Sequence, residues 1–280
     1  MNNETQLKEL VKEKYSQIAN QSLAQNLSSC CGATSSCCTT DEAYTIMSDD
    51  YTKLEGYNPD ADLGLGCGIP TQYAKINEGD TVIDLGSGAG NDAFVARRYA
   101  GEKGKVIGVD FSEAMIEKAR TNVEKLGFNN IEFRQGDIEK IPVTANKADV
   151  ILSNCVLNLV PNKKAVFAEI FRVLKPKGHF SISDIVLEGQ LPEKLQQAAE
   201  MYAGCVAGAI QKADYLALVK ETGFQNIELL KEKKIVIPDD ILRNYLSESE
   251  LQELKGSDLG IYSITVYAEK PCCEPNAGCC

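Results

Sequence analysis

Three glycines and a carboxylate 20 residues further on are the first groups in this chain whose types and spacing could do chemistry. In VIDLGSGAGND, residues 82–92, Gly86, Gly88 and Gly90 follow an apolar run and open a helical pattern. Residues without side chains let the backbone approach a ligand closely, and the free amides at a helix start can donate to it. Asp110 ends the next apolar run, where a carboxylate can accept from both hydroxyls of a ribose. Asp137 and Ile138 end a third run in GDI, suited to the amino group and the face of an adenine. These residues ask for a nucleoside-type ligand. A nicotinamide dinucleotide is the rival, but it goes with GxGxxG and a pyrophosphate on the helix N-terminus. The GxGxG spacing, with Asp84 before it and Asn91 after it, suits an amino-acid moiety carrying its own ammonium and carboxylate.

Sulfur is the second reactive feature. Cys155 stands in SNCVLNL just past Asn154, at the carboxyl end of a fourth apolar run, where open parallel sheets bind ligands. Cys67 lies between Gly66 and Gly68 in LGLGCGIP, and Cys205 lies among small residues in MYAGCVAGA. Each taken alone is more often a small buried hydrophobe, and their joint occurrence around one ligand core weakens that reading. The single histidine, His179, opens a fifth strand, either as a base or as an ordinary strand side chain.

These groups need a scaffold, and the chain supplies alternating strands and helices from about residue 80: TVIDLGSG, NDAFVARRYA, KVIGVD, then a helix that Ser112 caps, EAMIEKARTNVEKL. IEFRQGD, ADVILSN, the helix KKAVFAEIFRVL and the strand HFSISDIV continue the pattern, which predicts an α/β fold with a parallel sheet covered on both faces. A small-residue helix KLQQAAEMYAGCVAGAI and the helix DYLALVKETG follow, and NIELLKEKKIVIP and GIYSITVYAEK should finish the sheet with an antiparallel edge. The expected division is an N-terminal helix and Cys-rich segment (1–60), a ligand-binding core (61–188), a C-terminal α+β region completing the sheet (189–270) and a mobile tail (271–280). The 280-residue chain has 44% apolar and 25% charged residues, as a soluble globular protein does. A net charge of −11 argues against nucleic acid, and no apolar run is long enough to span a membrane. Eleven cysteines behind a polar N-terminal helix without a signal core point to a reducing, cytoplasmic setting.

The motifs LGLGCG, DLGSGAGNDAFVAR, SNCVLNL and GCVAGA resemble those of the arsenite methyltransferases, within the class I S-adenosylmethionine-dependent methyltransferases, over about residues 40–270. The resemblance implies a Rossmann-like sheet and S-adenosylmethionine held by Asp84, Gly86, Gly88, Gly90, Asn91, Asp110, Phe111, Met115, Asp137, Ile138 and Asn154. It implies trivalent arsenic, as arsenite or methylarsenite, bound by Cys67, Cys155 and Cys205, with Cys38 or its neighbour Cys37 as a fourth, redox-active cysteine. A disulfide between that residue and Cys67, reset by thioredoxin or glutathione, goes with it, and no catalytic metal is expected. A methyltransferase for a carbon or oxygen acceptor of quinone type, or a thiol-rich metalloid binder without activity, are the alternatives.

One pattern falls outside the shared motifs. Cys30, Cys31, Cys37 and Cys38 form CCx5CC, and Cys272, Cys273, Cys279 and Cys280 repeat it at the other end. Either these are redundant thiols on flexible ends, or they capture soft metalloids; zinc fits the spacing less well.

Overall fold

Strand β1, Thr81–Leu85, buries Val82, Ile83, Asp84 and Leu85, the requirement for a strand inside a parallel sheet covered on both faces. The computed structural model describes residues 2–20, 49–196, 206 and 208–272. Its strands β2 (Lys105–Asp110), β3 (Ile131–Gln135), β4 (Ala148–Asn154), β5 (Leu174–Glu188), β6 (Gln225–Ile235) and β7 (Gly260–Glu269) join β1 in one sheet. The order is β3-β2-β1-β4-β5-β7-β6. β1 to β5 are mutually parallel, and β7 runs antiparallel to both β5 and β6. The antiparallel end expected from the sequence is present, with the reversed strand one place in from the edge.

Successive strand residues face opposite layers. Ile83, Leu85, Ile107 and Val109 pack with one pair of helices, α4 (Lys163–Val173) and α6 (Lys212–Glu221), through Phe167, Ile170, Tyr215 and Val219. The rings of Phe167 and Tyr215 meet edge-on at 5.5 Å. Val82 and Val106 face the other layer, α2 (Asn91–Ala100) and α3 (Glu113–Leu126), through Ala93, Phe94, Met115 and Ile116. Ser112 caps α3 as its sequence position foretells, its hydroxyl accepting from the Met115 amide at 3.4 Å. Such a cap contributes about 1 kcal/mol.

Helix α1 (Asn2–Ala19) lies against α3, its Ser16 hydroxyl 3.2 Å from that of Ser112 and its Ala19 carbonyl accepting from Lys118 at 2.8 Å. The expected helix over 194–210 is helical in the turn α5 (Glu193–Gln196) but not at residues 208–210, and the remainder, apart from Val206, lies outside the described residues. Two helices between β6 and β7, α7 (Asp239–Leu242) and α8 (Glu248–Lys255), were not anticipated. The second had a legible signal, because Ser247 and Glu250 form a reciprocal capping box. No helix among the described residues is long and apolar enough to cross a membrane.

Candidate active site

The chain leaves β1 toward β2 and β3 on one side and returns to β4 on the other, so a crevice opens at the carboxyl ends of β1 and β4. A cavity of about 1040 Å³, including its open mouth, occupies that crevice. Its wall includes Asp84, Gly86, Gly88, Asn91, Asp110, Phe111, Asp137, Ile138, Asn154 and Cys155, all singled out from the sequence.

The glycine loop is built for close approach. Gly86 has φ +69°, and a Cβ there would sit 2.3 Å from the Val156 side chain, so no other residue fits without displacement. Gly90 does something else: a Cβ would meet Phe133 at 2.8 Å and Phe94 at 2.9 Å, making it a packing position behind the wall. Met115 also lies behind it, fully buried, with its sulfur 3.8 Å from where a Gly88 Cβ would be. Neither of these expected ligand residues lines the cavity; both pack against the loop that does.

Asp110 is tied by its two oxygens to the amides of Gly88 at 2.9 Å and Ser112 at 2.8 Å. Burial pushes its pKa up to about 6 against the pull of those amides. Asp84 is raised well above the ordinary carboxylate range by burial first and by Asp92 and Asp110 next. Asp92, raised to about 6 by burial, accepts from the Tyr51 hydroxyl at 2.9 Å and from Asn154 at 3.0 Å. Three buried carboxylates facing one cavity favour a cationic ligand, which restores their ionised forms.

Asp84 Oδ2, Ser87 Oγ and Asn91 Oδ1 are buried without a hydrogen-bond partner, all three on residues of the cavity wall. Orphaned buried polar atoms are rare in folded proteins. Their grouping around the glycine loop fits the ammonium, carboxylate and ribose of a nucleoside that carries an amino acid.

Several wall residues escaped the sequence reading. Lys8, Val11 and Tyr15 of α1 close the cavity from above, and Lys8 Nζ donates to Asp137 at 2.6 Å and pairs with Glu139. Asp62 and Asp92 add carboxylates. Tyr51 is buried, and its hydroxyl also lies 3.0 Å from the Gly68 carbonyl. Asp92 adjoined a residue already singled out, but an amphipathic α1 and a distant tyrosine carry no local mark of where they dock.

The sulfur side begins at the last residue of β4. Asn154 donates to the Gly68 carbonyl at 2.8 Å and accepts from the Cys67 amide at 3.0 Å, fastening the Cys67 loop to the donor wall. Cys155 follows with φ +61°, a conformation rarely adopted by residues with a side chain, its amide bonded to the Ser183 carbonyl at 2.7 Å. Cys67 and Cys155 are both buried, in one apolar cluster with Val11, Leu159, Ile185, Leu187 and Val206. Cys155 lines the cavity, whereas Cys67 stands behind Gly66. Cys205, immediately before Val206, lies outside the described residues, as do Cys30, Cys31, Cys37, Cys38, Cys273, Cys279 and Cys280.

Cys272 is exposed at the other end of the sheet. Lys270 exchanges backbone hydrogen bonds with Lys177 and Gly178, at the start of β5, while Cys155 is bonded to Ser183. At about 3.3 Å per residue that separation is roughly 20 Å. His179 is at that remote end too, its Nε2 2.6 Å from the Ala74 carbonyl and its ring 5.1 Å from that of Tyr267. Of its two readings, the strand side chain is the one that fits.

This sheet order, with a glycine loop after β1 and an acidic residue ending β2, defines a methyltransferase fold. Residues 76–223 match a family described as methyltransferase domain, and the chain belongs to that family. Its arsenite methyltransferase relatives include one from Halobacterium salinarum, 39% identical over 94% of this chain and 66% of that protein. Another, from Mus musculus, is 33% identical over 65% of this chain and 50% of its own length. The chain thus spans from half to about two thirds of the length of these relatives. Among solved structures, CrArsM, an arsenic(III) S-adenosylmethionine methyltransferase from Chlamydomonas reinhardtii, superposes with a TM-score of 0.63 at 36% identity, covering 75% of this chain and 68% of that one.

Proposed function

We propose that this chain transfers the methyl group of S-adenosylmethionine to trivalent arsenic held by cysteine thiolates, a reaction that serves arsenic detoxification. One juxtaposition carries the reading: Cys155 lines the same cavity as Asp84, Gly86, Gly88 and Asp110. The similarity to arsenite methyltransferases over nearly the whole chain supports the choice of acceptor.

Trivalent arsenic is a soft centre that takes thiolates, and Cys67, Cys155 and Cys205 are the three proposed ligands. Three sulfurs leave the arsenic lone pair as the free nucleophile. It attacks the methyl carbon, the carbon–sulfonium bond breaks, and its electron pair stays on the departing sulfur, which becomes a neutral thioether. No proton is abstracted, so no base is required. Asp84, Asp92 and Asp110 hold a cationic donor by charge, and the glycine loop fixes its direction. The apolar cluster around Cys155 keeps water away from the arsenic. Alignment of the two reactants can supply up to about 7 to 11 kcal/mol of the barrier.

Methylation leaves arsenic two electrons more oxidised, so each further cycle needs two electrons from thiols. Cys67 and Cys38 (or Cys37) would provide them by forming a disulfide, which thioredoxin or glutathione then reduces.

The test is incubation of the purified protein with arsenite, S-adenosylmethionine and a thiol reductant, with separation of arsenic species and quantification of S-adenosylhomocysteine. Methylated arsenic should appear with the spent donor. Arsenite bound without donor consumption would make the protein a metalloid sink, and donor consumed only with a quinone-type acceptor would overturn the arsenic assignment.

A further inference from the structure

A group of buried polar side chains lies directly behind Cys155 and takes no part in the chemistry above. Asn158, three residues after Cys155, donates to Asp184 Oδ1 at 2.9 Å and to the Ile185 carbonyl at 2.7 Å. Asp184 follows Ser183, whose carbonyl holds the Cys155 amide. Asn158, Asp184 and Tyr215 have no exposed surface, and the Tyr215 hydroxyl faces the Asp184 carboxylate. Burial raises the Asp184 pKa to about 7, with the charge of Lys163 acting in the opposite direction.

Lys163 is the unusual member. It is 9% exposed, and it is the first residue of α4, where the positive end of the helix dipole disfavours a cation. Replacing buried ionic groups by apolar side chains of similar volume is often neutral or stabilising, so stability alone does not account for this lysine. Its Nζ donates to the Gly208 carbonyl at 2.9 Å. Beside that carbonyl, the Leu187 amide holds the Ile210 carbonyl at 2.9 Å, and Val206 is buried against Cys67 and Cys155. One ammonium therefore ties the start of α4 to the Gly208 carbonyl and acts by charge on Asp184 of β5, next to the Ser183 carbonyl that holds the Cys155 amide.

We infer that Lys163 is a positioning residue for the sulfur side: it locks residues 208–210 beside the Cys155–Leu159 turn and so sets the affinity for a thiol-binding substrate without affecting the donor. This rests on the proposed arsenic chemistry. A second buried lysine supplies the control. Lys270 is 8% exposed and donates to the Phe171 and Leu174 carbonyls at 2.8 Å, at the opposite end of α4 and away from the cavity.

The experiment compares Lys163→Met, Lys163→Arg and Lys270→Met with the wild type. It measures KM for arsenite, Kd for S-adenosylmethionine, thermal midpoint, and amide hydrogen exchange at residues 206–211. Lys163→Met should raise the arsenite KM about tenfold, the equivalent of one charge-assisted hydrogen bond, with donor affinity unchanged and exchange faster. Lys163→Arg should recover most of the loss, and Lys270→Met should lower only the thermal midpoint. An unchanged arsenite KM in Lys163→Met, unchanged exchange, or donor and arsenite parameters that fall together with the midpoint would overturn the inference. If the wild type does not turn over arsenite, the proposed function fails; the lock is then judged on exchange alone, and unchanged protection overturns it.

Discussion

The two walls of the cavity solve opposite problems. At the ends of β1 and β2 the wall is oxygen-rich: Asp84, Asp92 and Asp110 are buried with raised pKa values, and three polar atoms around the glycine loop lack partners. At the end of β4 it is sulfur and hydrocarbon, with Cys155 and Leu159 on the wall and Cys67, Ile185 and Leu187 packed behind them. Hard carboxylate oxygens on one side face buried thiols on the other, and Asn154 bonds both sides. A reaction between a sulfonium cation and a thiolate-bound atom needs that asymmetry. In the proposed reaction, charge holds the donor and exclusion of water protects the acceptor.

The comparison is broken most severely at Cys155. Cys155→Ser should lower arsenite methylation at least about a hundredfold through loss of alignment, while donor affinity, measured by calorimetry, stays within about twofold. Turnover is the right readout, because the other ten of the eleven cysteines can also bind arsenite. Asp110→Asn is the reciprocal change. It weakens charge-assisted bonds on the donor side, so donor Kd should rise about thirtyfold with the arsenite KM unchanged.

Acidity sharpens the contrast more gently. Burial raises the pKa of Asp92 and Asp110 to about 6, and the proposed cationic donor sits on Asp110, so protonation of that one carboxylate should make donor affinity drop about tenfold from pH 7 to pH 5. The sign reverses for the protein without ligand. Its folded values lie above the ~3.9 of an unfolded aspartate, so these groups contribute stability that is full below that value and lost as pH rises through about 6. Thermal midpoints with and without donor should therefore diverge on going from pH 5 to pH 7. The smallest effect belongs to the C-terminal thiols. Deleting residues 271–280, which leave the sheet roughly 20 Å from Cys155, should leave saturated turnover within about twofold and lower the rate only at limiting arsenite.

The donor wall was the more legible half because its chemistry is local in sequence. Strand, glycine loop and helix start are contiguous, and the capping role of Ser112 could be read directly. Gly90 and Met115 show the limit of that reading: spacing indicates a loop, but only packing separates residues that face the cavity from those that brace it. The enclosure was less legible because it is assembled from distant pieces. Tyr51 reaches Asp92 across 41 positions and Lys8 reaches Asp137 across 129, and neither carries a motif. The insertion of β7 between β5 and β6 is likewise decided by pairing rather than by strand pattern.

In the proposed reaction the cysteines hold the acceptor and do not themselves carry the methyl group. The stereochemical course of transfer from S-adenosylmethionine with a chiral methyl group tests it most directly. A single in-line displacement by the arsenic lone pair inverts the methyl configuration. Retention, which requires two displacements through a methylated cysteine such as Cys155, would rule out direct transfer to arsenic.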